Sequence, residues 1–536
     1  MKKISGKIVD VVDKKIFDGE ICYHNGKIIS VVPAKNVTDQ YIMPGFVNSH
    51  VHIESTMLTP SAFARIAVQH GTVAVVSDPH EIANVMGERG IDFMIDDSRK
   101  VPVKFYFGLP SCVPASDFET SGFHIDAKDT ARLLKRKDIH YLSEMMNFPG
   151  VVNGDSEIEK KLSAARKLNK PVDGHAPGLK GKDLKKYVAA GISTDHECVD
   201  INEAVEKIKA GMKIQIRDGS AAKNFEALHK LIDLHPDHVM ICTDDSHPDD
   251  LINGHINEIV KNGLKNGLDL FNVLRAASYN TIKHYNLKIG MLKVNDPADF
   301  IVVDNLKDLN ISKTVISGKT VYENGKTKFK VTASPAINNF IRTKIKPEAI
   351  KFVSNEKEIP VIEVIDGELL TLKKVIKNPA KGKNFESDTK NDVLKIVVAC
   401  RYNNEKPAVG FIKNFGLKKG AIAGSIAHDS HNLVAIGTND SDICQALNKI
   451  VEMKGGIALA EGKMKNGLML EIGGLMTNMN CYELAEKYKK IENNARNLGS
   501  KLKAPFMTMA FMTLLPIPEI KICDKGLFDV GKQKFI

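Results

Sequence analysis

The residues best suited to metal chemistry recur where strand-like runs end. In "PGFVNSHVHIESTMLTP", residues 44–60, His50 and His52 stand one residue apart at the end of an apolar run. On a strand, side chains at i and i+2 project from the same face, so both imidazoles aim at one spot. Neutral imidazole suits Zn, Mn, Fe and Ni. One such pair does not fill a coordination sphere, and later runs end in further donors. They are Glu144 in "YLSEMMNFPG", His175 in "VDGHAPG", His196 in "STDHE", and Asp244 and Asp245 in "ICTDD". Four imidazoles with bridging-capable carboxylates are enough for two metal ions.

Those donors need a frame that brings strand ends together. Between about 44 and 284, short apolar runs such as "GTVAVVSDP", "VKFYFGLPS" and "GMKIQIRDG" alternate with helical patterns such as "SEIEKKLSAARKLN". Repeated β-then-α implies parallel strands with crossover helices. About eight units predict an α/β fold, a (β/α)8 barrel over 44–284, whose active site lies at the carboxyl ends of its strands. Hairpin patterns flank it, with Asn25-Gly26 before and Asn324-Gly325 after. They predict one small β-sandwich domain built from residues 1–43 and 285–335. Residues 336–536 predict a third, α/β or α+β domain. Its strands are expected in "NDVLKIVVACRYN" and "HNLVAIGTND", its helices in "DICQALNKIVEMKGG" and "NCYELAEKYKKIENNARNLGSKL". The polar stretch 373–391 reads as an exposed loop.

Composition narrows the class. Of 536 residues, 43% are hydrophobic and 26% charged, as in a folded globular chain. The net charge of +10 comes from scattered lysines with few aromatics among them and no Trp, which argues against nucleic-acid binding. Eight cysteines lie far apart without a C-x-x-C pair, a pattern of reduced thiols in the cytoplasm. The N-terminus has no apolar signal core, and "FMTMAFMTLLPIPEI" is broken by Pro516 and Pro518. No membrane partner is expected.

The order H-x-H, carboxylate, His, His, Asp resembles that of the amidohydrolase superfamily. "VVSDPHEIANVMG", "GLPSCVPA", "EMMNFPGVV", "DGHAPGL" and, near the C-terminus, "AHDSHNLVAIGTND" and "APFMTMAFMTLLPIPEIKICDKGLFDV" resemble the adenine deaminases within it. The match runs along nearly the whole chain. One departure is "LEIGGLMTN" at 470–478, where the family favours a proline-bearing segment.

The resemblance implies metal ligands at His50, His52, Glu144, His175, His196 and Asp244, with Glu144 where many relatives carry a modified bridging lysine. It implies two divalent ions, Mn or Fe(II), with Zn also suited to the donors. The implied reaction is hydrolytic deamination of adenine to hypoxanthine, with hydrolysis of a cyclic amide or a 6-substituted purine as the alternative, a purine as small-molecule partner and a dimer or tetramer as the working assembly. Asp244 would shuttle the proton. Asp245 would bond a purine nitrogen or cap a helix. Glu54 is a catalytic neighbour or a solvated loop acid. His80 and Glu81 are candidates for substrate contact, proton relay or a peripheral metal, against simply opening a helix. Arg217, Asp218 and Ser220 could hydrogen-bond ring nitrogens. "HDSHN", 428–432, reads as structural or surface, with a lid over the barrel as the alternative. A cytidine-deaminase-type zinc site is excluded, because no P-C-x-x-C accompanies His52-Ile53-Glu54.

Overall fold

Eight strands curl into a parallel ring in the structure, a computed structural model that describes residues 1–536. In order they are Phe46–His52, Thr72–Ser77, Lys104–Leu109, Ile139–Met145, Val172–Gly174, Thr194–Asp195, Lys213–Arg217 and Val239–Cys242. Every ladder between them is parallel. Ser193 N donates to Val172 O at 2.9 Å and links the fifth strand to the sixth. Asp244–Asp245, just past the eighth strand, pairs with Val51–His52 and closes the ring. Thr72–Ser77 is buried at all six positions, so its Val-rich run is apolar rather than alternating. Helices between the strands show amphipathic patterns and side-chain caps. Asp200, for example, accepts from Asn202 N and Glu203 N to start Ile201–Lys209.

The chain forms two compact units. The first comprises 1–79, 92–111 and 126–333. It holds the ring and a second, eight-stranded sheet made from both flanks of the barrel sequence. Tyr41–Pro44 joins the two flanks. It pairs in parallel with Lys2–Asp10 and antiparallel with Phe300–Val303. The flanking domain is thus one continuous hydrogen-bonded sheet, with Ile8, Ile21, Ile42, Phe300 and Val315 in its core.

Between Pro44 and the first barrel strand stands Gly45. A Cβ there would overlap the Val73 methyls, 2.6 Å from Cγ2. Only glycine lets the strand that carries His50 pass so close to its neighbour. Gly45→Ala is expected to destabilise the protein by about 1–3 kcal/mol, read as a lower urea midpoint at unchanged slope.

The second unit comprises 80–91, 112–125 and 334–536. Two short segments lying inside the 44–284 span therefore pack with the C-terminal region. Its sheet has eight strands, ordered Thr371–Lys377, Glu358–Val364, Ala408–Lys413, Val393–Ala399, Leu433–Gly437, Ala421–Gly424, Gly456–Glu461 and Met464–Met469. All but one of its pairings are antiparallel, so this unit is α+β. Helix Asp440–Met453 packs Ile443, Leu447 and Ile450 against it; Cys481–Asn497 is a second helix. The stretch expected as a loop at 373–391 instead begins inside an edge strand, where exposed Lys374 and Lys377 guard the open edge. All eight cysteines are buried thiols. No helix is long and apolar enough to cross a membrane.

Candidate active site

The carboxyl ends of the ring strands bring six side chains into one buried cluster. His50 and His52 end the first strand, and their Nε2 atoms stand 3.1 Å apart. Glu144, from the fourth strand, spans the cluster. Its Oε1 is 3.2 Å from His52 Nε2, and its Oε2 is 2.8 Å from His175 Nδ1 and 3.3 Å from His196 Nε2. Asp244 Oδ1 lies 3.1 Å from His52 Nε2 and 3.4 Å from His50 Nε2. The His50 and His196 rings stack at 4.3 Å between centroids.

These donors fit divalent metal ions. His52 Nδ1 faces the carbonyl oxygen of Asp78 at 3.1 Å. A carbonyl only accepts, so Nδ1 carries the proton and Nε2 presents a lone pair. That lone pair faces another imidazole nitrogen and two carboxylate oxygens, an arrangement that repels itself without a cation. Metal–ligand bonds of about 2.0–2.2 Å place neighbouring ligands roughly 3–3.5 Å apart, the spacing found here. Two overlapping donor groups result, His50–His196–Asp244 and Glu144–His175–His196.

Asp244 is held in an unusual backbone state, with φ at 54°. Aspartate tolerates the left-handed region better than most residues, and such positions cluster at functional sites. Burial would raise its carboxyl pKa, but the neighbouring His50 and His52 imidazoles and the Arg217 charge hold it well below the carboxylate range. Burial likewise opposes ionisation of Glu197, but the Arg217 guanidinium and His175 keep its carboxyl low.

The other expected residues are placed as follows. Arg217 does not stand open toward a ligand: its fork lies between Glu197 and Asp244. Ser220 Oγ donates to Asp250 Oδ2 at 2.5 Å and accepts from His247 N at 2.7 Å. Asp218 pairs with Lys223 at 3.2 Å. Asp245 caps no helix; Oδ1 accepts from Ser55 Oγ at 2.5 Å, and the next helix starts after His247. Glu54 is buried in the 3-10 turn Ile53–Thr56 that follows the H-x-H strand, so it is not a solvated acid.

His80 and Glu81 belong to the second unit, in helix His80–Met86. There Glu81 is the centre of a histidine cluster. Oε1 is 2.9 Å from His428 Nδ1 and 3.3 Å from His80 Nε2, and Oε2 bonds His431 Nε2. The "HDSHN" segment is therefore buried rather than at the surface, with His428 stacked on Phe511.

Sequence reasoning missed the residues that hold the donors in place. Asn48 Nδ2 donates to Thr243 Oγ1 at 2.7 Å, and its Oδ1 accepts from Thr243 N and His50 N. It locks the first strand to the eighth. Asp195 accepts from Ala176 N, Glu197 N and Lys207 Nζ, and so fixes the turns after His175 and His196. Asp173 accepts from Tyr285 and Thr194, while burial pushes its carboxyl up to about 7. The available signal was local: Asn48, Asp173, Asp195 and Glu197 are polar residues inside or against the same motifs.

The ring and its donor cluster define a class. Residues 41–321 match the family model described as the amidohydrolase family. Residues 368–534 match the adenine deaminase C-terminal domain. The chain is 54% identical to the adenine deaminase of Methanosarcina mazei, across 100% of this chain and 99% of that one. It is 46% identical to the adenine deaminase of Borreliella burgdorferi, again across 100% and 99%. The chain belongs to the adenine deaminase family.

Proposed function

We propose that this protein hydrolyses adenine to hypoxanthine and ammonia. The observation that carries the reading is end-to-end identity of 46–54% with proteins named adenine deaminase. The donor cluster supports it independently, since replacing an aromatic amine with water needs a strong nucleophile at neutral pH.

His50, His52, Glu144, His175, His196 and Asp244 would hold the metal. Two divalent ions, Mn or Fe(II) with Zn as a further fit, would supply that nucleophile by lowering the pKa of bound water to about 7. Asp244 moves the proton. Its Oδ1 faces His50 and His52; Oδ2 accepts one hydrogen bond from Arg217 and keeps a second lone pair to take a proton from the attacking water. The same atom returns the proton to the amine leaving C6. Adenine and water become hypoxanthine and ammonia, with no proton gained or lost overall.

The reaction would run in the cytoplasm, a reading supported by eight buried cysteine thiols. The test is direct. Mn-loaded protein incubated with adenine should release ammonia and hypoxanthine in equal amounts. Metal-loaded protein that leaves adenine unchanged would end this reading.

A further inference from the structure

Three successive strand ends of the ring carry Glu197, Arg217 and Asp244. The ladders set Asp195 beside Ile214, and Arg217 beside Cys242, so the three side chains line up along the rim. The guanidinium lies between the two carboxylates. Nη1 donates to Glu197 Oε1 and, at 2.8 Å, to Asp244 Oδ2. Nη2 donates to Glu197 Oε2 at 3.0 Å, and Nε donates to Ala222 O at 2.6 Å. Arg217 is only 3% exposed. Four of its five N–H groups are committed to the protein, which leaves little for a purine.

We infer that Arg217, clamped by Glu197, is the positioning residue for Asp244. The inference rests on the deaminase reading above. The physical argument concerns one torsion. The backbone of Asp244 is fixed by its ladder and its left-handed φ, but a carboxylate's terminal torsion is broad and two-fold. Free rotation would exchange or tilt Oδ1 and Oδ2. The two-point bond to Glu197 fixes the guanidinium plane, and a rigid planar fork then leaves Nη1 one direction for its second hydrogen. That hydrogen meets Oδ2. Asp244 is thereby held with Oδ1 toward His50 and His52 and with Oδ2 turned away to carry the proton. Lysine has no such fork and could not fix a plane.

The test compares Arg217→Met, Glu197→Gln and the double variant with the parent, all loaded with Mn(II), and separately with Co(II) for spectroscopy. Arg217→Met should lower kcat for adenine about 10–100-fold, as loss of a partner behind a ligand does. KM should stay within about threefold, because no substrate contact is lost. Metal content should match the parent's, and the visible bands of the Co(II) form should shift as the Asp244 ligand rotates. Glu197→Gln should show the same pattern more weakly. The double variant removes the unpaired Glu197 charge that Arg217→Met leaves behind, so it should fold like the parent yet keep the kcat loss. The inference is overturned if Arg217→Met raises KM and spares kcat, which would make Arg217 a substrate contact. It is equally overturned if kcat and the Co(II) bands are unchanged, or if the double variant regains parental kcat. A parent that ignores adenine defeats the deaminase reading alone. The Co(II) bands then still decide, a shift supporting the positioning role and unchanged bands overturning it.

Discussion

Asp244→Asn is expected to reduce adenine turnover by at least about 10²–10⁴-fold, the range that general acid–base groups contribute. The substitution preserves shape and removes both functions of the carboxylate. An amide has one accepting oxygen. Arg217 Nη1, 2.8 Å from the present Oδ2, can only donate and so draws that oxygen to itself. The amide nitrogen then faces His50 and His52, where Oδ1 now stands 3.4 Å and 3.1 Å from their Nε2 atoms. A donor replaces an anionic ligand, and no atom remains that can carry a proton back to the leaving amine. The check is a paired measurement of ammonia release and of metal per chain. A variant that keeps its metal and turns over within tenfold of the parent would remove Asp244 from the chemistry.

Glu144→Gln should cost turnover nearly as much, and for a different reason. Glu144 meets histidines with both of its oxygens, Oε1 toward His52 and Oε2 toward His175 and His196. A glutamine can accept at one end only. The variant is expected to lose part of its bound metal, and activity should fall by about 10²-fold or more, since even partners behind a ligand cost 10–100-fold. Chelating the parent should abolish turnover, and adding back Mn(II) or Fe(II) should restore it. Metal should also stabilise the fold. At 100 times its Kd, bound metal adds about 2.7 kcal/mol, which thermal unfolding with and without Mn(II) would register. Full activity after exhaustive chelation would end the metal assignment.

Much of this site could be read from the chain because its logic is local. The alternation that puts His50 and His52 on one face needs only two residues of strand. His175, His196 and Asp244 each stand at the end of a short run, and a parallel barrel gathers such ends at one rim. What escaped was pairing at a distance. Arg217 looked available to a ring nitrogen, yet its partners lie 20 and 27 residues away, on the neighbouring strands. Glu197 sat beside His196 and drew no separate role, because nothing local says which base it meets. His80 and Glu81 follow a barrel strand, and nothing local names their distant partners. The structure groups Glu81 with His431, 350 residues on, in a burial that no sequence period announces. Ser220 was chosen for its loop, and its hydroxyl is already spent on Asp250 and His247.

The shared flanking sheet has a consequence for how the protein is made. Tyr41–Pro44 leaves the ribosome with Lys2–Asp10 ready on one side, but its other neighbour is Phe300–Val303. Roughly 250 residues separate the two partners, and at about 5–20 residues per second they take some 10–50 s to synthesise. For that interval the nascent sheet ends in an open, apolar edge. Such an edge can recruit a strand from another nascent chain, so crowded polysomes are where this protein is most exposed to misassembly. Slower initiation, which spaces the nascent chains apart, should therefore raise the soluble yield without any change in the finished molecule.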